Sequence, residues 1–293
     1  MIGIALGFFD GIHLGHQQVI QKIYNQDIRE KFLITFDTSP KIFFKNTNNC
    51  LLTTNKEKEE TLSQIFPNLK LEFLIFKNIY TLEPEEFIRY LKILTDFDVV
   101  SVGYDFRFGK SAKGNTKTLK LLSKKYKYQL IITPPVRYKN KTIHSSLIRN
   151  YLINNPRKLE DVNNMLGRPY SLSGIVIEGN KIGRKIGFPT ANILLPPYKI
   201  IPYFGIYKTK VYILEEEFKN KVFEGLLHIG PRPVINSFDI SAEVWIKDFN
   251  LDIYYKPIKV ELLKFIRKIK NFRNLQSLAK QIEKDVQLAF GSR

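Results

Sequence analysis

Two of the four histidines in this 293-residue chain stand three residues apart, in Gly7-Phe8-Phe9-Asp10-Gly11-Ile12-His13-Leu14-Gly15-His16. Imidazoles at that spacing, where a strand gives way to a helix, can donate to phosphate oxygens. They can also stabilise the charge that builds up on a transferring phosphorus. Gly11 and Gly15 let the backbone turn tightly and approach a ligand, and the N–H groups of the first helical turn face outward toward an anion. Ser145-Ser146-Leu147-Ile148-Arg149 offers related chemistry. Ser145 suits a helix N-cap, and hydroxyls, free N–H groups and the Arg149 guanidinium can converge on one anion. The bland alternatives are a turn whose histidines cap a helix and, for the serine–arginine pattern alone, an ordinary capped helix.

These residues need elements to deliver them. Apolar runs at 2–8, 31–36, 71–76, 99–103 and 130–132 have the length and character of buried strands. Helical patterns lie between them, such as 85–94, where Phe87, Ile88, Leu91 and Leu94 share a face. Another helix begins near His16, with Val19, Ile20 and Ile23 as its apolar side. Strand, helix and strand in succession predict a parallel sheet covered by helices, with ligands at the carboxyl ends of the strands.

From about Pro156 the texture changes. A helix over 157–166 stops at Gly167, with Pro169 just beyond. Strand-like runs at 171–178, 206–213, 221–227, 242–247 and 258–265 are separated by turn residues, which predicts an antiparallel sheet or small barrel. At 274–290, Leu275, Leu278, Ala279, Ile282, Val286 and Ala289 form one stripe of a closing helix. There is no internal repeat and no low-complexity linker, so two unlike folds are expected, at 1–156 and 157–293.

Composition bounds the function. At 44% hydrophobic the chain can bury a core, and the single cysteine, Cys50, excludes a disulfide framework and a cysteine-rich metal site. No apolar run approaches the ~20 residues needed to span a bilayer. Met1-Ile2-Gly3-Ile4 has no basic segment ahead of its apolar stretch, so a secretory signal is not expected. The net charge of +18 invites a nucleic-acid reading, yet residues 1–150 and 151–293 carry +9 each. That even split argues against a basic arm and leaves anionic ligands in general.

The histidine segment resembles the signature of the His-x-Gly-His nucleotidyltransferase superfamily. Its fuller form, Gly-x-Phe-Asp-Gly-x-His-x-Gly-His, resembles the adenylyltransferase domain of bacterial bifunctional riboflavin kinase/FAD synthetase. Further matches follow in order: Thr35-Phe36-Asp37, Gly103-Tyr104-Asp105-Phe106-Arg107-Phe108-Gly109, and then the Ser145–Arg149 segment, similar to the family's phosphate motif. The resemblance implies that His13 and His16 are catalytic. It implies that Gly7, Phe8, Asp10, Gly11, Gly15, Ser145, Ser146 and Arg149 meet ATP and its phosphates, and that Asp105, Phe106 and Phe108 meet the flavin.

In the second half, Gly183-Arg184-Lys185-Ile186-Gly187-Phe188-Pro189-Thr190-Ala191-Asn192 closely resembles the riboflavin kinase motif. Glycines such as Gly183 and Gly187 let a loop fold over phosphates. The Thr190 hydroxyl and the Asn192 amide are hard oxygen ligands suited to Mg²⁺. Glu243, in Ala242-Glu243-Val244-Trp245-Ile246, stands where the family places its catalytic carboxylate. The chain departs from the family pattern at Thr38-Ser39-Pro40, where Pro-His-Pro is common. It also departs at His144 (usually serine), His228 (commonly Asn) and Tyr255 (usually Gly).

The resemblance therefore implies an α/β plus β protein. A Rossmann-like nucleotidyltransferase domain with a parallel sheet would be followed by a riboflavin-kinase-like antiparallel β-barrel with a closing helix. It implies a cytoplasmic bifunctional transferase that phosphorylates riboflavin with ATP to FMN, then adenylylates FMN to FAD and pyrophosphate, using Mg²⁺. Its partners would be small molecules, ATP and flavins, with neither nucleic acid nor membrane among them. Two rivals remain open at this stage: a riboflavin kinase with a weakened adenylyltransferase, and a basic nucleic-acid-binding protein.

Overall fold

Alternation along the first strand shows how the N-terminal half is layered. In the computed structural model, which describes residues 1–45, 47, 50–179, 182–231 and 240–291, Ile4 and Leu6 of β1 (Ile2–Leu6) face one apolar cluster. Ala5 faces the other. The chain continues through α1 (Leu14–Tyr24), β2 (Glu30–Phe36), α2 (Pro40–Lys45), α3 (Asn55–Ile65), β3 (Lys70–Leu74), α4 (Phe76–Ile79), α5 (Pro84–Thr95) and β4 (Val99–Gly103). Then come α6 (Thr116–Tyr126), β5 (Gln129–Thr133), the short hairpin β6 (Arg137–Tyr138) and β7 (Lys141–Thr142), and α7 (Ser145–Asn154). Strands one to five form a parallel sheet in the order β3-β2-β1-β4-β5, as expected.

Both faces of this sheet are covered. Val19, Ile20 and Ile23 of α1 join Ala5 and Leu33 on one side, while Phe87, Ile88 and Leu91 of α5 join Leu6 and Val102 on the other. Each such side chain stabilises the fold by about 1.5–3 kcal/mol. Leu94, expected on the same face of α5, lies in its last turn and stays 44% exposed. The strand expected at 2–8 stops at Leu6, and Phe9 and Ile12 both take positive φ. Strand order reverses between β2 and β4, either side of β1, and such a switch point opens a crevice at the carboxyl ends.

Internal contacts divide the chain into Met1–Ile148 and Arg149–Arg293, a division inside α7 rather than after it. In the second unit, a single 3₁₀ turn leads into α8 (Leu159–Leu166), which ends at Gly167 with φ 73°. There follow β8 (Tyr170–Ile177), α9 (Ile182–Lys185), β9 (Thr190–Leu194), β10 (Gly205–Ile213), β11 (Phe223–Pro231), β12 (Ile240–Ile246), β13 (Pro257–Arg267) and α10 (Leu275–Phe290). The six strands close into an antiparallel barrel, β10-β11-β12-β9-β8-β13.

One strand differs from expectation. Residues 190–192, read as the end of a glycine-rich loop, belong to β9, which lies between β8 and β12. Pro189 and the small, polar Thr-Ala-Asn run hide the alternation that marks a strand. The closing helix packs Val286, Ala289 and Phe290 against Ile206, Leu226 and Trp245 of the barrel.

Candidate functional site

The turn after β1 is held in an unusual shape by its neighbours. Phe9 (φ 52°), Gly11 (φ 88°) and Ile12 (φ 43°) all lie in the left-handed region. A β-branched residue is strained there, and the surroundings must over-determine the conformation. They do so at several points. Asp10 is buried, and its Oδ1 accepts from the N–H groups of Leu52 (2.8 Å) and Thr53 (3.1 Å). Gly11 N–H donates to Thr53 Oγ1 (3.0 Å), Gln17 Nε2 donates to Ile12 O (2.9 Å), and Ser145 Oγ donates to Asp10 O (2.9 Å). Asp10 and Ser145, both expected at the phosphates, here brace the turn itself.

That turn delivers the histidines. His13 is the N-cap of α1, and its Nδ1 accepts from His16 N–H at 3.2 Å, so in the neutral ring the proton sits on Nε2. The two imidazoles stack with centroids 3.5 Å apart at 17°. A Cβ on Gly15 would lie 3.1 Å from the His13 ring, so a side chain there would crowd it. Both histidines line a cavity of about 150 Å³, and Tyr104 and Asp105 at the end of β4, with His144 and Ser145, complete it. His144 Nε2 lies 3.1 Å from Tyr104 Oη, and its Nδ1 lies 3.7 Å from Asp105 Oδ2. Burial and the Asp105 charge raise the Tyr104 phenol above its ordinary range. Ser146 is exposed on the first turn of α7, and Arg149 follows Ser145 one turn later on the same helix.

The three residues expected at the flavin do not gather in one place. Asp105 lines the histidine cavity, whereas Phe108 lines a separate cavity of about 540 Å³ with Phe36, Phe44, Phe76 and Tyr80. Phe106 stacks on Phe108 at 5.6 Å and 12°. This aromatic basin escaped the sequence reading, although Phe43-Phe44 on a short helix was its visible sign. Ser39, which precedes the lining residue Pro40, accepts from Ile42 N–H (3.3 Å) at the start of α2.

Lys58 was also missed. It looks like a solvated residue on a polar helix, yet it is 1% exposed and donates to Phe8 O (2.9 Å) and Thr35 Oγ1 (3.0 Å). Only packing distinguishes it from Lys56, two residues earlier.

In the barrel, ladder register gathers the site. Asn192 on β9 stands opposite Glu243 on β12, and Glu243 stands opposite His228 on β11. Glu243 Oε2 accepts from Thr190 Oγ1 (3.3 Å) and Oε1 from Ser241 Oγ (2.7 Å). Burial holds the His228 imidazole below its ordinary value; the Glu243 charge opposes that shift and Arg267 adds to it. Thr190, Glu243, His228 and Trp245 line a cavity of about 300 Å³, closed by Leu278 and Ile282 of α10. Thr190 also lines a second cavity, of about 420 Å³, with Arg184, Asp252 and Tyr254.

The glycines of the motif act differently from one another. A Cβ on Gly183 would lie 2.2 Å from Phe188 O, so the strand start folds back against it, whereas Gly187 (φ 81°) faces open space. Asn192 packs its amide against Gly179, where a Cβ would lie 2.1 Å from Nδ2. Among the described residues no group of three or more His, Cys, Asp or Glu could hold a metal ion. The oxygens of Thr190 and Asn192 are hard ligands that suit Mg²⁺ together with phosphate and water.

Comparison with known proteins follows the same division. Residues 2–147 match the family model described as FAD synthetase, and residues 166–291 match riboflavin kinase. A bifunctional riboflavin kinase/FMN adenylyltransferase of Buchnera aphidicola subsp. Schizaphis graminum is 36% identical, over 97% of this chain and 92% of that one. The protein of the same name from Bacillus subtilis is 35% identical, over 98% and 90%. A solved structure described as a macrolide-efflux protein from Streptococcus pneumoniae superposes with a TM-score of 0.84 at 28% identity, covering 99% of this chain and 94% of that one. Among the described residues, no helix is long and apolar enough to cross a membrane.

Proposed function

The chain belongs to the bifunctional riboflavin kinase/FMN adenylyltransferase family, and on that footing we propose how its residues divide the two reactions. It is an ATP-dependent transferase of flavin cofactor synthesis. The barrel unit makes FMN from riboflavin, and the parallel-sheet unit makes FAD from FMN.

In the barrel, the terminal ribityl hydroxyl attacks the γ-phosphorus of ATP. The new O–P bond forms as the bond to the β-phosphate oxygen breaks, and Glu243 takes the hydroxyl proton. The observation that carries this is the position of Thr190. Its hydroxyl touches Glu243, and the residue lines both the apolar cavity beside Glu243 and the neighbouring polar one. The flavin ring fits the first cavity, against Trp245 and α10, and ATP fits the second. Mg²⁺ would be held by Thr190 and Asn192 with the phosphates, and when bound it neutralises their charge.

In the parallel-sheet unit, a phosphate oxygen of FMN attacks the α-phosphorus of a second ATP, and pyrophosphate leaves. The nucleophile is already an anion, so no base is required. Catalysis is positioning and charge neutralisation. His13 Nε2–H and His16 donate to the phosphate oxygens, and Ser146, Arg149 and the N–H groups around Gly11 hold the remainder. The adenosine fits the cavity between the histidines and Tyr104, and the isoalloxazine ring fits the aromatic basin at Phe108, Phe44 and Tyr80. The net charge of +18 then serves anionic small molecules, and we place both reactions in the cytoplasm, where the buried thiol of Cys50 stays reduced.

Incubating the purified protein with riboflavin, ATP and Mg²⁺ and resolving the flavins by chromatography tests this reading. FMN followed by FAD is expected. FMN alone would reduce the parallel-sheet unit to a weakened or lost activity, and neither product would overturn both assignments.

A further inference from the structure

Lys58 lies in the first turn of α3, against the turn that presents the histidines. Its ammonium donates to Phe8 O and Thr35 Oγ1 and lies over the rings of Phe8 (4.8 Å) and Phe73 (5.6 Å). Among the described residues no carboxylate reaches it within ion-pairing distance; Asp10 acts on it only through space. A buried cation without a counter-ion is costly to keep. Its hydrogen bond alone does not justify it, because Thr35 Oγ1 already donates to Phe8 O at 3.0 Å. A neutral side chain could fill the same space.

What a neutral side chain cannot supply is charge. We propose that Lys58 is a positioning residue for adenylyl transfer, whose buried ammonium gives the Phe8–Gly11 turn the positive potential that holds the phosphates of ATP and of departing pyrophosphate. The proposal rests on the assignment of that turn to the adenylyltransferase site. In it Asp10, acting only through space, balances the buried charge in part, and the anionic substrate completes the balance.

Burial lowers the Lys58 pKa to about 8, against the opposing pull of Asp10, and the other groups packed on it, Phe8, Thr35 and Phe73, are neutral. The charge is therefore present at neutral pH and is lost as pH rises through about 8. For stability the sign is opposite. Between the folded value and the ordinary lysine value the unfolded chain binds the extra proton, so this group's contribution to folding improves with rising pH. A weakening of ATP binding over that range is therefore not a consequence of Lys58 unfolding the domain.

The test uses the full-length enzyme, with KM for ATP and product inhibition by pyrophosphate measured in the FMN-to-FAD reaction. FMN formation in the same preparations reports on the barrel. Lys58→Met is expected to raise KM for ATP and the inhibition constant for pyrophosphate about tenfold at pH 7, the effect of one charge acting at ~10 Å through a partly screened interior. FMN formation should be unchanged. Lys58→Arg should restore ATP binding and keep it flat to pH 9, because guanidinium does not deprotonate. The wild-type KM should climb between pH 7 and 9.

A wild-type KM for ATP in Lys58→Met, equal losses in the Met and Arg variants, or a flat wild-type profile would each overturn the proposal. Should Lys58→Met not fold, the wild-type profile still decides. Wild-type enzyme that makes no FAD at all would instead overturn the assignment of the unit.

Discussion

The two halves of this chain move phosphorus with opposite means. The parallel-sheet unit offers imidazoles, a buried ammonium and backbone N–H groups on a strained turn, and the carboxylate within that turn, Asp10, is occupied by backbone donors. The barrel offers a carboxylate, Glu243, fixed between two hydroxyls on a regular ladder. The difference follows from the nucleophile. A phosphate oxygen is already ionised, so the first site needs only to neutralise charge. An alcohol carries a proton that must go somewhere, so the second site needs a base. A turn can gather N–H groups on one anion, whereas a β-ladder can hold one side chain at a set distance from its neighbours.

The sharpest way to break this contrast is to neutralise the carboxylate proposed as the base. Glu243→Gln keeps the shape of the side chain, with one of its two hydroxyl contacts reversed in direction, but cannot take a proton. Riboflavin phosphorylation should fall by about 10²–10⁴-fold while FMN-to-FAD conversion continues unchanged. Parallel loss of both activities would mean that the two sites are not independent.

The reciprocal change is His16→Asn, expected to slow FAD formation by about 10²–10³-fold without touching FMN formation. Single-turnover kinetics should place the loss in the chemical step. If kcat holds and only KM changes, His16 binds substrate rather than stabilising the transition state.

A smaller effect is expected from Gly15→Ala. The new Cβ would sit 3.1 Å from the His13 ring and push it off its stack with His16. FAD formation should drop about tenfold, the size of a misplaced catalytic group rather than a missing one. Normal activity in this variant would show that the stacked geometry is not required.

The smallest expected effect concerns His228. Its folded pKa lies below the ordinary value, so on acidification the unfolded chain takes up the proton first. The barrel should therefore gain stability as pH rises through the ordinary histidine range, and thermal melts of His228→Asn should lack that component. Identical pH dependence in both proteins would mean that His228 titrates as if exposed.

Much of this was legible in the residues. The strand–turn–helix around His13 and His16 announced itself through glycine spacing and a 3.6-residue apolar period, and five parallel strands appeared as short apolar runs. The barrel's closure was less legible. β9 carries Thr190 and Asn192, and its short run of small, polar residues looked like loop until β8 and β12 were seen on either side. Asp105, Phe106 and Phe108 read as one set of flavin contacts. The fold sends Phe108 into the aromatic basin and Asp105 to the histidines, because residues one to three apart beyond a strand end point to different faces.

The sequence by itself determined the two fold types and the order of the motifs, since these depend on residue type and local spacing. Tertiary structure decided which of the expected groups bond to the chain itself and which line a cavity. Asp10 and Ser145 brace the turn, Lys58 sits buried rather than solvated, and Thr190 joins two cavities. The physical reason is that burial and partnership are set by residues far away in the chain. Leu52 and Thr53 for Asp10, Phe8 and Thr35 for Lys58, and Glu243 for Thr190 come together only when the strands and helices have packed.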